Sequence, residues 1–196
     1  MTRHVSRWEE NGDRPTPRQE NRELFSDFTV TASTTVSCST DDAWDLITSI
    51  SRIGEFSPEC IDAQWIDGAE GPEVGARFEG TNSRQQGDDE IVWIRPCTVT
   101  VSIPGQAFGY VVGDRFDTTS AVEWEYRLEA VNGGCLINQT FRHLPDGLSG
   151  VRGMADAEPE KAAGIVARRR EVLSNGMKAT LAAMKQVLEG KADRKP

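Results

Sequence analysis

Ala121-Val122-Glu123-Trp124-Glu125-Tyr126-Arg127-Leu128-Glu129, followed closely by Asn132-Gly133-Gly134, is the stretch on which the fold turns. Val122, Trp124, Tyr126 and Leu128 share one parity, and Glu123, Glu125, Arg127 and Glu129 share the other. Successive side chains of a strand point to opposite faces, so this is a strand with one dry and one wet face. Asn132-Gly133-Gly134 has the chemistry of a tight turn, so residues 135–143 are expected to return antiparallel, with Cys135, Ile137, Gln139 and Phe141 on the dry side.

The same grammar continues upstream. Residues 61–67, 76–83, 91–103 and Ala107–Gly113 read as strands. They are punctuated by Gly68 and Gly71-Pro72, by Gln86-Gly87-Asp88-Asp89 and by Pro104-Gly105. Phe78, Gly80 and Asn82 share a face, as do Phe108, Tyr110 and Val112, and Pro96 marks a bulge or an edge. Residues 28–38 are rich in β-branched side chains and form a first strand, with Phe28, Val30 and Ala32 inward. Thr40 then reads as the N-cap of a helix whose Asp41 and Asp42 suit the positive end of its dipole. Ala43, Leu46, Ile47 and Ile50 form the apolar face of that helix. A second short helix, 51–57, is stopped by Pro58.

The C-terminal segment is one long helix from Glu158-Pro159 to about Leu188, ~45 Å at 1.5 Å per residue, with Gly190 as its stop. Val166, Leu173, Met177, Leu181, Met184 and Leu188 line one stripe; Ile165, Val172, Ala179 and Ala183 line the next. So wide an apolar arc is expected to be wrapped by a curved surface.

With 196 residues and a formal charge of −9, the chain fits one domain. Its acidic excess lies within 27–153, whereas the C-terminal segment is basic. An acidic body repels phosphate backbones, which argues against a nucleic-acid partner. No apolar run reaches the ~20 residues of a membrane span, and the N-terminus lacks a signal-peptide core, so a cytoplasmic protein without integral membrane association is expected, monomeric or homodimeric. Residues 1–25 are polar, with Trp8 among the few apolar side chains, and read as a flexible tail; the domain spans 26–190, and 191–196 read as a disordered tail. Cys38, Cys60, Cys97 and Cys135 lack metal-ligand spacing and read as buried thiols; no metal site or other cofactor is expected. No nucleophile–base motif or phosphate loop is visible.

One strand, two short helices, six antiparallel strands and a long C-terminal helix resemble the helix-grip fold of the START/Bet v 1-like (SRPBCC) superfamily, in particular its bacterial polyketide cyclase/dehydrase and lipid-transport group. The resemblance covers about residues 26–190. It is carried by Cys38-Ser39-Thr40-Asp41-Asp42-Ala43-Trp44-Asp45-Leu46-Ile47, by Val74-Gly75-Ala76-Arg77-Phe78-Glu79-Gly80 and by the Trp124/Tyr126 hairpin. It implies an α+β architecture: about seven strands curved around the C-terminal helix, with a mostly apolar cavity between them. The function it implies is binding, transport or sequestration of a small hydrophobic molecule such as a lipid, polyketide or aromatic compound. A cyclase or dehydratase is the alternative, and a non-catalytic protein-interaction module the third.

On that reading the cavity draws its walls from Phe78, Trp93, Phe108, Tyr110, Trp124, Tyr126 and Phe141 of the sheet and from Leu173 and Met177 of the helix, although packing alone also explains large inward rings. Asn82 and Gln139, polar at inward parity, either orient a ligand or bond within the protein. Arg169 and Arg170 fall inside the helix's apolar arc. They either hold an anionic or carbonyl-bearing ligand or form ion pairs at the sheet rim. His143, beside Pro145 at a strand end, reads as solvated. The glycine-containing stretch 144–157 is either a lid or a plain connector. Asp41, Asp42 and Asp45 read as helix-capping charges and not as metal ligands.

Overall fold

The computed structural model describes residues 17–114 and 119–192. The seven strands are β1 (Thr29–Val36), β2 (Cys60–Ile66), β3 (Arg77–Gln86), β4 (Asp89–Ile103), β5 (Ala107–Gly113), β6 (Ser120–Val131) and β7 (Gly134–His143). They form one antiparallel sheet in the order β1-β7-β6-β5-β4-β3-β2. Before β1 comes α1 (Pro17–Ser26); between β1 and β2 come α2 (Thr40–Thr48) and a 3-10 turn, Ile50–Glu55; after β7 come α3 (Gly150–Ala157) and the long α4 (Ala162–Ala192). This is the helix grip expected from the alternation of the strands and the wide arc of the last helix.

Register aligns the inward side chains into rows. Phe108 faces Tyr126, Tyr126 faces Gln139, and Gln139 faces Ala32. One row over, Tyr110 faces Trp124 and Trp124 faces Phe141. The β6–β7 hairpin closes through Asn132 and Gly133, whose φ of 83° is one a side chain would strain. Along α4 the inward stripe packs on two clusters. Leu181, Met184 and Leu188 join Trp44, Ile47, Phe78, Phe108, Tyr126 and Ile137 in the first. Val166, Leu173 and Met177 join Phe25, Phe28, Phe141 and Trp124 in the second.

A curved sheet with two free edges must protect them, and α4 does so at β1. Arg170 donates to the carbonyls of Thr29 (2.8 Å) and Asp27 (2.5 Å), and its guanidinium lies 4.9 Å from the Phe28 ring. Lys185 donates to Thr35 O at 2.7 Å, and Glu189 accepts from the Ser37 amide at 3.1 Å. The long side chains thus occupy backbone positions that another strand would otherwise seek.

Several expectations need correction. The N-cap of α2 is Ser39, one residue before Thr40: its Oγ accepts from the Asp42 amide at 3.0 Å while Asp42 accepts in return from the Ser39 amide. The second short helix, expected over 51–57, is the 3-10 turn Ile50–Glu55. The supposed tail is helical from Pro17, because Asn21, Leu24 and Phe25 recur at helical spacing and Phe25 is fully buried against the second cluster. Residues 1–16, Trp8 among them, and 193–196 lie outside the described residues, and α4 runs through Ala192, into the expected C-terminal tail. The 144–157 stretch is no open loop: Ser149 caps α3, accepting from the Arg152 amide at 3.1 Å. β4 passes through Pro96 unbroken, one residue past the end of its pairing with β5, and its register shift falls between Val99 and Val101. The second stripe of α4 is only partly covered; Val172 is 48% exposed, so the buried arc is narrower than its composition suggests.

Candidate functional site

Between α2, the 3-10 turn, Met184 of α4 and strands β3 to β6 lies a cavity walled by Ile47, Ile50, Ile53, Phe56, Phe78, Phe108 and Met184. Its polar lining is Ser49, Tyr110 and Tyr126. The space open to the centre of a water molecule is about 10 Å³, enough for one water. The mostly apolar cavity implied by the resemblance is therefore nearly closed. Rings fill it: Trp44 meets Phe108 edge-on at 6.2 Å, Trp65 meets Phe78 at 5.5 Å, and Phe78 meets Tyr110 at 5.0 Å.

The polar chemistry is concentrated in one pair. Gln139, 4% exposed, donates from Nε2 to the Tyr126 hydroxyl at 2.7 Å, and its Oε1 has no hydrogen-bond partner. Gln139 sits on β7 between Ile137 of the first cluster and Phe141 of the second, so this amide marks the seam between two apolar cores. A buried carbonyl oxygen left unbonded costs about 1–3 kcal/mol. Burial raises the Tyr126 phenol above its ordinary range, and burial followed by the neighbouring Tyr126 does the same to Tyr110. Both are protonated donors at neutral pH. Burial also lifts the Cys60 thiol to about 11, which keeps it protonated and a poor nucleophile.

Of the residues expected to line the cavity, Phe78, Phe108, Tyr110 and Tyr126 do so, and Gln139 stands one hydrogen bond behind. Trp124, Phe141, Leu173 and Met177 pack in the second cluster instead. Asn82 and Trp93 face each other on the outer part of the β3–β4 hairpin: Asn82 donates to Gly80 O at 3.1 Å, and Trp93 lies 5.8 Å from the Arg84 guanidinium. Arg169 holds Glu59 through two bonds, 2.9 and 2.8 Å, at the start of β2. With Arg170 on the β1 carbonyls, both arginines serve the rim of the grip. Ile47, Ser49, Ile50, Ile53, Phe56 and Met184 are lining residues that the sequence reading does not assign to the cavity. Met184 belonged to a legible stripe, but nothing in the spacing of residues says that α2 and α4 close on one another.

The other end of the grip is built around His143, corrected here from solvated to fully buried. Its ring is 4.4 Å from Phe25 and 5.9 Å from Phe28. Nδ1 donates to Leu144 O at 2.7 Å, so Nε2 accepts from the Ser149 hydroxyl, also at 2.7 Å. Arg152, 6% exposed, bonds Asp156 and Pro145 O and lies 5.1 Å from Phe25. Asn21 donates to Ala155 O and Asp156, fastening α1 to α3.

Residues 27–189 match the family described as polyketide cyclase / dehydrase and lipid transport, and the chain belongs to that family. A comparison with curated proteins finds no match. Among solved structures it is similar to a polyketide-cyclase-like protein of Corynebacterium glutamicum, at 28% identity and a TM-score of 0.60 over 85% of this chain and 94% of that one. It is also similar in fold to the di-domain ARO/CYC of the steffimycin biosynthetic pathway, at 14% identity and a TM-score of 0.64 over 89% of this chain and 55% of that one. A Mesorhizobium loti protein shares the fold at 15% identity, TM-score 0.54, covering 82% of this chain and 96% of that one. No described helix is long and apolar enough to cross a membrane.

Proposed function

We propose that the protein binds a small, largely apolar molecule in the space between α2, the 3-10 turn, α4 and the sheet, and carries or sequesters it. The supporting observation is the lining itself: seven aliphatic or aromatic side chains converge on two phenols and one hydroxyl, with a half-satisfied amide directly behind. Apolar walls with few, well-placed polar groups are the usual make-up of a small-molecule site. Family membership supports the same reading. The closed volume means that binding is coupled to opening. Met184 is unbranched and adaptable, and the 3-10 turn bearing Ile50 and Ile53 stands outside the sheet's hydrogen bonding, so both can yield.

Native mass spectrometry on protein purified from its own host tests this. A non-covalent adduct that organic extraction removes is expected. Bare protein mass in every preparation, together with no thermal shift from any apolar compound in a panel, would remove the proposal's basis.

A further inference from the structure

We infer that the ligand is an electrically neutral molecule bearing a hydroxyl or carbonyl group, an alcohol, phenol or ketone rather than a carboxylate. The inference rests on the binding role proposed above. It follows from where the charges are. Among the described residues no lysine, arginine, histidine or carboxylate lines the cavity. The two cations whose helical positions point them toward the interior are both engaged: Arg169 forms a doubly bonded pair with Glu59, and Arg170 bonds two backbone carbonyls. A carboxylate entering would lose its water and meet no opposite charge, which is the costliest burial a small group can suffer.

The polar pair fits a neutral group. The Tyr126 oxygen accepts from Gln139 Nε2, which leaves the Tyr126 proton to be given to an oxygen of the ligand. Gln139 Oε1 lacks a donor, and rotation of the terminal amide lets the side chain offer either its oxygen or its N–H. Tyr126 on the lining therefore presents the donor, and Gln139 behind it supplies an acceptor when the cavity opens, together the complement of a hydroxyl. Tyr110, a second phenol on the lining, adds a donor and no charge.

The test compares naphthalene, 2-naphthol, 2-naphthamide and 2-naphthoate at pH 7.5 by tryptophan fluorescence and calorimetry. The amide and the carboxylate have nearly the same shape and differ in charge. We expect naphthamide and naphthol to bind at least about tenfold more tightly than naphthoate, and naphthol about fivefold more tightly than naphthalene, the effect of one net hydrogen bond. Tyr126→Phe and Gln139→Leu should each erase the preference for naphthol over naphthalene, with circular dichroism and the thermal melt of each variant showing that it is folded. If either variant fails to fold, the amide–carboxylate comparison on the unaltered protein still decides. Naphthoate binding as tightly as naphthamide would overturn the inference and leave the binding role standing. Failure of all four probes to bind would overturn both.

Discussion

His143 shows how one side chain can set the pH range of a fold. It is fully buried, and burial lowers its pKa from 6.5 to about 4, with the Arg152 charge acting in the same direction. The unfolded chain therefore binds a proton that the folded chain refuses between those values. The resulting stability is complete above pH 6.5 and is lost as pH falls toward 4, up to about 3 kcal/mol at 1.36 kcal/mol per pKa unit. Urea titrations at stepped pH should show that slope, and His143→Gln should flatten it while lowering stability at pH 7.5. A variant with the parent's slope would mean that other groups carry the acid sensitivity. The parity of β7 already pointed inward from Cys135 through Phe141 and, continued by two residues, reaches His143. The packing of Phe25 on that ring was not legible, because the helix that carries it reads as tail. The arginines show the converse: their place in the arc of α4 was legible, but their partners, Glu59 and the carbonyls of Asp27 and Thr29, lie more than a hundred residues away in the chain.

Elements bounded by local chemistry were the most legible. Strand alternation and the turn at Asn132-Gly133 depend on neighbours in sequence, and so do not need the tertiary structure to be read. α1 and α3 are short, and hold their shape through Asn21–Asp156, Arg152–Asp156 and the Ser149 cap, of which only the i,i+4 pair Arg152–Asp156 has a periodic signature. The cap of α2 gives a test at this scale. Ser39→Ala removes the Oγ acceptor of the Asp42 amide while the Ser39 amide keeps its bond to the Asp42 carboxylate, and should cost about 1 kcal/mol in chemical denaturation. Gly54, in the 3-10 turn, is more demanding: an added Cβ would stand 2.1 Å from the Ile61 carbonyl oxygen. Gly54→Ala must push the turn off β2, so a loss of about 1–3 kcal/mol is expected, as for an overpacked core site. A neutral result would show that the turn moves freely against β2. These two substitutions also bear on the cavity, since α2 supplies Ile47 and the turn supplies Ile50 and Ile53 to its wall.

For the molecule as a whole the question is where a closed grip opens. Gly54 seats the 3-10 turn on Ile61, so the turn and edge strand β2 form one flap, and that flap meets α4 along a seam without backbone hydrogen bonds between strands. Beside the apolar packing of Ile50 and Phe56 with Leu181 and Met184, the seam is tied at its rim by the Arg169–Glu59 pair, with side chains 31% and 36% exposed, and by Pro58, whose Cγ is 3.6 Å from a Cβ built on Gly176. A half-exposed ion pair is worth about 0–1 kcal/mol, far less than parting paired strands elsewhere in the sheet. If a ligand reaches Tyr126, this is its least costly door. Cysteines at the second contact would tie it, because the Pro58 side chain and a side chain at position 176 stand in van der Waals contact. Pro58→Cys with Gly176→Cys, oxidised, should slow uptake of the neutral dye Nile red by at least about tenfold, with reduction restoring the parent rate; stopped-flow fluorescence reads both. Glu59→Gln should speed uptake and release alike, leaving the dissociation constant within about twofold, since the pair is broken in the passage and re-formed in both end states. Uptake at the parent rate with the disulfide in place would put the entrance elsewhere on the grip, at the β1 edge or beneath α1, and would make the Arg169–Glu59 pair a simple tie between helix and sheet.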